Sequence, residues 1–157
     1  MKSNNPTIEK SPQLAEVKLQ YHCQQPVGSF PTVSSPQEAV EVLRGIWDPG
    51  QIQLNEQFIV LLLNNAKKCL GWCKISSGGA TATIVDPAAV LRVAILSNAT
   101  SILLAHNHPS GNTNPSQADK NLTERIAKAG KLLGITVEDH IILSADDYAS
   151  FKASGIM

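Results

Sequence analysis

Changes in the spacing of apolar positions along the chain mark the predicted helices and strands. Apolar residues recur at helical spacing between residues 36 and 46, and Ser34 or Ser35 is placed to cap that helix, with Pro36 near its first position. The apolar face of this helix comprises Ala39, Val40, Val42, Leu43 and Ile46. The next apolar run, residues 58–63, is nearly continuous, which predicts a central strand that is buried on both faces.

A hairpin loop is predicted at residues 64–68, and residues 70–75 return as a second strand. The Ser-Ser-Gly-Gly segment at residues 76–79 is expected to break this strand, and residues 80–85 are expected to continue as a third short strand. Asp-Pro at residues 86–87 then predicts a helix start, with the aspartate as N-cap. The apolar stripe of this helix comprises Val90, Leu91, Ala94 and Ile95.

The C-terminal part of the chain is predicted to add two strands and two helices. Residues 101–105 and 136–143 have the composition of buried strands, and residues 117–133 have helical spacing. The inward stripe of that helix comprises Leu122, Ile126, Ala129 and Leu133. Ser144 is expected to cap a short terminal helix through Phe151. This order of elements predicts an α/β layered domain with a mixed sheet.

The first 34 residues are predicted to be an N-terminal tail with one candidate strand, and residues 35–157 are predicted to be the domain. Val17, Leu19 and Tyr21 alternate with charged and polar residues, which is typical of a half-exposed strand. Such a strand either packs on its own domain as an edge strand or serves as the arm of a homodimer. The pattern does not distinguish the two.

Composition narrows the class of protein. The chain has 157 residues, enough for one domain with a core, and 43% of them are hydrophobic. Its 13 basic and 13 acidic side chains balance, so the net charge supplies no bulk attraction to nucleic acid or to anionic lipid. The longest apolar run is too short to span a membrane, and no signal peptide is recognisable.

The three cysteines are odd in number, which does not suggest a disulfide framework. Cys69 and Cys73 lie on a predicted strand, where four residues span roughly 13 Å, too far for a disulfide bond. We therefore predict buried thiols and a cytoplasmic location.

The main candidates for metal binding or catalysis are two histidines, His106 and His108, which follow the predicted strand at residues 101–105. Side chains alternate faces along a strand, so both imidazoles are expected on the same side. Ser116 is then placed as a helix N-cap with Asp119 at the third helical position, close to where the strand end arrives. Imidazole and carboxylate are ligands that zinc accepts, and three protein ligands leave one coordination position for water.

The pair His106-x-His108, followed at fixed spacing by a serine and an aspartate, resembles the signature of the JAMM (MPN/JAB) metalloproteases. The string His-Asn-His-Pro-Ser-Gly at residues 106–111 resembles that of the RadC family, and the resemblance extends from about Ser35 to the C-terminus. Further matching segments are residues 56–58, 76–79, 85–87 and 139–140. The chain lacks room for the extra N-terminal helix-hairpin-helix region of the longer RadC proteins.

The resemblance implies a cytidine-deaminase-like three-layer α/β sandwich with a mixed sheet. It implies a zinc-dependent hydrolase, a metallopeptidase or isopeptidase, with Zn2+ held by His106, His108 and Asp119 and with a peptide or protein as substrate. Glu56 would be the base that takes a proton from the attacking water and later protonates the leaving amine. Ser116 would donate a hydrogen bond to the metal water or to the oxyanion.

Plainer roles stay open for the same residues. The two histidines are alternatively loop residues without a metal, and Glu56 is alternatively an acidic residue at a strand start. Ser116 and Asp119 also suit a helix N-cap and a favourable charge in the first turn. His140, in the last predicted core strand, is either a partner of the site or a core histidine. The basic face of the helix at residues 117–133 is read as a solvated surface.

Two other functions stay open beside the hydrolase. The RadC name suggests a DNA-repair or nucleic-acid-associated factor, although the neutral charge argues against direct binding to DNA. A metal-binding interaction module without catalysis is the other alternative, and the complete ligand set together with Glu56 argues against it. The sequence names neither the substrate nor the pathway.

Overall fold

A computed structural model describes Ala15, residues 25–78 and residues 84–157. The described residues form a short 3-10 helix (Val27–Ser29), three α-helices and five strands. The α-helices are α1 (Pro36–Ile46), α2 (Pro87–Leu96) and α3 (Gln117–Leu132). The strands are β1 (Gln57–Leu63), β2 (Cys69–Ser77), β3 (Ser101–Asn107), β4 (Thr136–Leu143) and β5 (Tyr148–Ser150).

The five strands form one mixed sheet in the order β2-β1-β3-β4-β5. β1 is antiparallel to both of its neighbours, β3 and β4 are parallel, and β5 returns antiparallel to β4. In the register of β1 and β3, Phe58 lies opposite His106. Because directly opposed residues point to the same face of a sheet, the rings of Phe58 and His106 stack with centroids 6.1 Å apart.

Helices cover both faces of the sheet, which makes the domain a three-layer α/β sandwich. Every residue of β1 is buried, as predicted for a strand between two helical layers. One core cluster joins α1 to the face that carries Ile59 and Leu61, and the other joins α2 and α3 to the face that carries Phe58 and Val60. The predicted fold class is confirmed.

The predicted starts of α1 and α2 are also confirmed. The side chain of Ser35 caps α1 and Pro36 is its first residue. Asp86 caps α2, with Pro87 as the first residue. Cys69 is buried, Cys73 is half-buried, and both are free thiols. No helix among the described residues is long and apolar enough to cross a membrane.

The predicted C-terminal helix is wrong. Ser144 does cap a local structure, because its hydroxyl accepts a hydrogen bond from the backbone N–H of Asp147, but that structure is a turn. The chain then returns as β5 along β4, where Ile142 lies opposite Ala149. The exposed edge of β4 offers backbone partners that the local helix signal could not reveal.

Two predicted helix faces and one strand boundary need correction. Ile95 and Leu133 are each 53% exposed and do not belong to the buried stripes. Leu133 caps the C-terminus of α3 and is followed by Gly134 at φ +71°, where the backbone turns away toward β4. β2 continues through Ser77 because its last residues pair with Gln57 and Phe58, so the break comes later than predicted.

Two predictions fall wholly or mostly outside the described residues. The N-terminal strand at Val17, Leu19 and Tyr21 is one of them. Residues 80–83 of the expected third short strand are the other, and the two residues that complete it, Ile84 and Val85, are described and are not in a strand.

Candidate metal centre

Two adjacent chain segments bring the predicted ligands together. His106 lies near the end of β3, His108 follows directly after that strand, and Asp119 lies in the first turn of α3. One ligand atom from each of the three lies within 4.8 Å of the other two. His106 is buried, whereas His108 and Asp119 are partly exposed. The site therefore opens to solvent on one side of a buried imidazole.

The distances among these atoms fit a shared cation. Nε2 of His106 is 3.0 Å from Nε2 of His108 and 3.3 Å from Oδ1 of Asp119. Nε2 of His108 is 3.8 Å from Oδ2 of Asp119. Two ligands of a tetrahedral zinc ion, each about 2.0–2.2 Å from the metal, lie roughly 3.3–3.5 Å apart. The donor set and its spacing are therefore suited to a small divalent cation.

A backbone carbonyl fixes the tautomer of His108. Nδ1 of this ring is 2.5 Å from the carbonyl oxygen of Asn112, which can only accept a hydrogen bond. Nδ1 therefore carries the hydrogen, and Nε2 of the neutral ring presents a lone pair toward His106 and Asp119. Orientation of a metal-binding imidazole through its other nitrogen is the usual arrangement in metal sites.

The ring of His106 is held through a second, fully buried histidine. Nδ1 of His106 is 2.7 Å from Nε2 of His140, and Nδ1 of His140 is 2.6 Å from Oγ1 of Thr123. Phe58 and Phe151 enclose His140, with ring centroids 5.5 and 4.6 Å away. Complete burial holds the pKa of His140 well below its usual value, so this ring is neutral.

Hydrogen bonds at the N-terminus of α3 stabilise the ionised form of Asp119. Its Oδ2 accepts hydrogen bonds from the backbone N–H of Ser116 at 2.7 Å and from the Ser116 hydroxyl at 2.6 Å, while the Ser116 Oγ accepts from the N–H of Asp119. Burial by itself raises the pKa of Asp119, but its contact with His106 and the hydrogen bonds from Ser116 hold it well below its usual range. Oδ1 faces His106.

Glu56 lies at the same end of the sheet, two residues before Phe58, which is paired with His106. It is partly buried and is outside the group of three converging ligands. Its carbonyl accepts a hydrogen bond from the N–H of Gly78 at 2.8 Å. The backbone position of Glu56 is thus tied to β2, beside the metal centre.

Asn107, the residue between the two histidines, forms hydrogen bonds with the chain segment that contains Glu56. Its Oδ1 accepts from the N–H of Gln57 at 2.7 Å, and its Nδ2 donates to the carbonyls of Ile52 and Asn55, both at 2.8 Å. Asn107 is completely buried. Since its contacts flank Glu56 in the chain, the His-x-His motif and the Glu56 segment form one unit.

The structure therefore brings His106, His108 and Asp119 together and places Ser116 against Asp119. The sequence analysis did not single out Thr123 or Asn107, and it left His140 as either a partner of the site or a core histidine. Thr123 follows Asp119 by four positions on a helix, which places both on one helix face, so that spacing was a usable signal. The contacts of Asn107 cross 50–55 residues and left no local signal.

Comparison with known proteins identifies a family model and several relatives that match most of this chain. A family model described as a RadC-like JAB domain matches residues 33–156. A UPF0758 protein of Flavobacterium johnsoniae is 40% identical over 124 residues, which are 79% of this chain and 53% of that relative. A UPF0758 protein of Thermosynechococcus vestitus is 42% identical over 127 residues, which are 80% of this chain and 49% of that relative. This chain spans about half the length of the curated relatives it matches.

Proposed function

This chain belongs to the family of RadC-like JAB domains, and from that premise we propose that it is a zinc-dependent hydrolase that cleaves peptide or isopeptide bonds. The observation that carries the proposal is the convergence of His106, His108 and Asp119, with their ligand atoms within 4.8 Å of one another. Three ligands, as distinct from four, are the pattern of catalytic zinc sites.

The donor set supports zinc as the metal. Two imidazole nitrogens and one carboxylate oxygen combine ligand types that zinc binds readily, whereas calcium and magnesium prefer oxygen ligands alone. When bound, a zinc ion supplies a water of pKa near 7 and polarises a substrate carbonyl. His108 and Asp119 face the solvent side of the site, where a substrate can approach.

Glu56 is the proposed general base. It would accept the proton of the attacking water and return it to the leaving amine, so that the amide bond breaks with no net change at the carboxylate. Its place outside the ligand group supports this role, because the base that takes the proton of the metal water is not itself a ligand of the metal. Its backbone is held by the hydrogen bond that its carbonyl accepts from the N–H of Gly78. The residues on either side of it, Asn55 and Gln57, are hydrogen-bonded to the side chain of Asn107.

Ser116 has a narrower role in the proposal. Its hydroxyl hydrogen is directed to Asp119 at 2.6 Å, so donation to an oxyanion requires the hydroxyl to rotate away from that carboxylate. We therefore assign Ser116 first to holding Asp119 and second to an oxyanion contact in the transition state.

The proposal is tested by zinc content and hydrolysis measured on the same preparations. Wild type, Glu56→Gln and His106→Ala are compared, with Glu41→Gln as a matched control at an exposed position of α1. The probes are fluorescence-quenched peptide pools and a quenched peptide branched through a lysine isopeptide bond. We expect wild type and Glu41→Gln to hold about one zinc per chain and to cleave at least one probe.

Glu56→Gln is expected to keep its zinc and to lose hydrolysis by roughly 10²–10⁴-fold, the range of general-base contributions. His106→Ala is expected to lose zinc and hydrolysis together. Zinc loss in Glu56→Gln would make Glu56 a fourth ligand and the site a closed structural one. A zinc-loaded wild type that leaves every probe intact would instead favour a metal-binding module.

A further inference from the structure

A closed ring of hydrogen-bonding groups begins and ends at Asp119. The Asp119 carbonyl is 2.7 Å from the hydroxyl of Thr123, which is 2.6 Å from Nδ1 of His140. The other nitrogen of His140 is 2.7 Å from Nδ1 of His106. Nε2 of His106 then faces the Asp119 carboxylate, with Oδ1 3.3 Å away. The ring has four contacts, of which three are short and one is long.

Counting hydrogens decides how the ring is filled. The Thr123 hydroxyl carries one hydrogen, and the neutral rings of His140 and His106 carry one each, whereas both Asp119 groups can only accept. Three hydrogens cannot fill four contacts, so one contact must be empty. Each hydrogen has two possible positions, so four arrangements place no more than one hydrogen in each contact, and each of the four leaves a different contact empty.

Three of these arrangements leave a short contact without a hydrogen. If Thr123 donated to His140, then His140 would donate to His106, and His106 would donate to the Asp119 carboxylate. The Thr123 oxygen would then face the Asp119 carbonyl at 2.7 Å with no hydrogen between two acceptors. That arrangement opposes two lone pairs at hydrogen-bond distance in a buried place, where an unmade hydrogen bond is costly. The same cost applies to the two arrangements that leave empty the contact of His140 with Thr123 or with His106.

The fourth arrangement fills all three short contacts. Thr123 donates to the Asp119 carbonyl, Nδ1 of His140 donates to Thr123, and Nδ1 of His106 donates to Nε2 of His140. The empty contact of the ring is then the long one, between Nε2 of His106 and Oδ1 of Asp119. Nε2 of His106 also has no hydrogen toward Nε2 of His108, 3.0 Å away, so three acceptor atoms surround one gap. This gap is the place where the proposed metal would bind.

We propose that Thr123 and His140 are positioning residues, which hold His106 in the tautomer protonated on Nδ1 and so present its Nε2 lone pair to the metal. The proposal rests on the proposed metal site and names two of its determinants. The burial of His140 between two phenylalanine rings keeps competing water from the relay. Removal of groups that orient a metal-binding histidine typically lowers metal affinity by about 10–100-fold.

The test compares Thr123→Val with Thr123→Ser. Valine has the shape of threonine but cannot accept from His140, whereas serine keeps the hydroxyl. Thr136→Val, at an exposed position of β4, controls for the general effect of the exchange. Zinc affinity is measured by competition with a chelator, thermal melts report folding, and nitrogen NMR of the metal-free wild type identifies the tautomer of His106.

We expect zinc affinity about 10–100-fold weaker in Thr123→Val, and within a few-fold of wild type in Thr123→Ser and Thr136→Val. We expect the Nδ1–H tautomer of His106 in the metal-free wild type. Equal zinc affinity in folded Thr123→Val, or an Nε2–H tautomer in wild type, would overturn the relay. A wild type that binds no zinc would overturn the proposed function, and the relay would then be decided by the NMR result alone.

Discussion

Asp119 and Asp139 are both largely withdrawn from solvent, yet their oxygens have different partners. The Asp139 residue is 4% exposed, and Asp119 keeps 15% of its side chain exposed. Oδ1 of Asp139 accepts from the backbone N–H groups of His140 and Lys152, and its Oδ2 accepts from the hydroxyl of Ser150. Each oxygen of Asp139 is thus occupied by a donor from the protein.

Asp119 has a divided environment instead. Its Oδ2 accepts from the backbone and the hydroxyl of Ser116, while its Oδ1 faces a histidine nitrogen that, in the proposed relay, has no hydrogen to give. A carboxylate whose oxygens are all satisfied by neutral donors joins chain segments together. A carboxylate with one oxygen left among imidazole lone pairs is completed by a cation. Asp139 accordingly ties β5 and the C-terminal turn to β4, and Asp119 is the proposed metal ligand.

The largest difference is expected in metal affinity. Asp119→Ala should weaken zinc binding by more than about 100-fold. Loss of a ligand should exceed the roughly 10–100-fold effect of losing a residue that only orients a ligand. The metal-free protein should remain folded, because the lost charge at a helix N-terminus contributes only about 0.3–1 kcal/mol. Chelator competition and a melt of the metal-free protein measure both effects. Retained zinc in this variant would remove Asp119 from the site.

The reverse outcome is expected for Asp139→Ala. Its loss leaves the N–H groups of His140 and Lys152 and the hydroxyl of Ser150 without this acceptor, and a buried unsatisfied group costs about 1–3 kcal/mol. Each kcal/mol lowers the melting temperature of a domain of this size by about 2–4 °C. Denaturant melts measure the loss, and zinc affinity of the folded fraction should change only a few-fold. A stable variant with impaired zinc binding would erase the contrast between the two carboxylates.

The smallest effect concerns the support of Asp119 by Ser116. Ser116→Ala removes a helix N-cap and should cost about 1 kcal/mol, whereas Ser116→Gly keeps a tolerable cap and should cost only a few tenths. Both variants lack the hydroxyl that donates to Asp119, so both should weaken zinc binding equally. If zinc affinity were instead weakened in Ser116→Ala but not in Ser116→Gly, as the loss of stability is, Ser116 would act only as a cap.

Short-range patterns were sufficient where neighbours in the chain build the structure. Alternation along a strand predicted one side for His106 and His108, and a serine followed by an acid at the third helical position predicted where Asp119 lies. Both depend on backbone periodicity within a few residues. The all-apolar composition of residues 58–63 likewise predicted burial between two layers, because only such a position hides both faces of a strand.

The local sequence pattern was insufficient where a locally favoured structure competes with pairing to a distant part of the chain. Residues 144–151 carry a cap signal that favours a helix, but the open edge of β4 provides a hydrogen-bonding partner, and the chain forms β5. A buried histidine in a strand is equally ambiguous, since its neighbours depend on how strands and helices align.

The amino-acid sequence by itself determined the types of the three α-helices and of strands β1 to β4, the three residues that converge and the helix cap beside them. Only the tertiary structure decided that Asn107 clamps the Glu56 segment and that His140 joins His106 to Thr123. These contacts cross 50–55, 34 and 17 residues. Directional hydrogen bonds of this range exist only after strand register and helix packing are set, so no local periodicity encodes them.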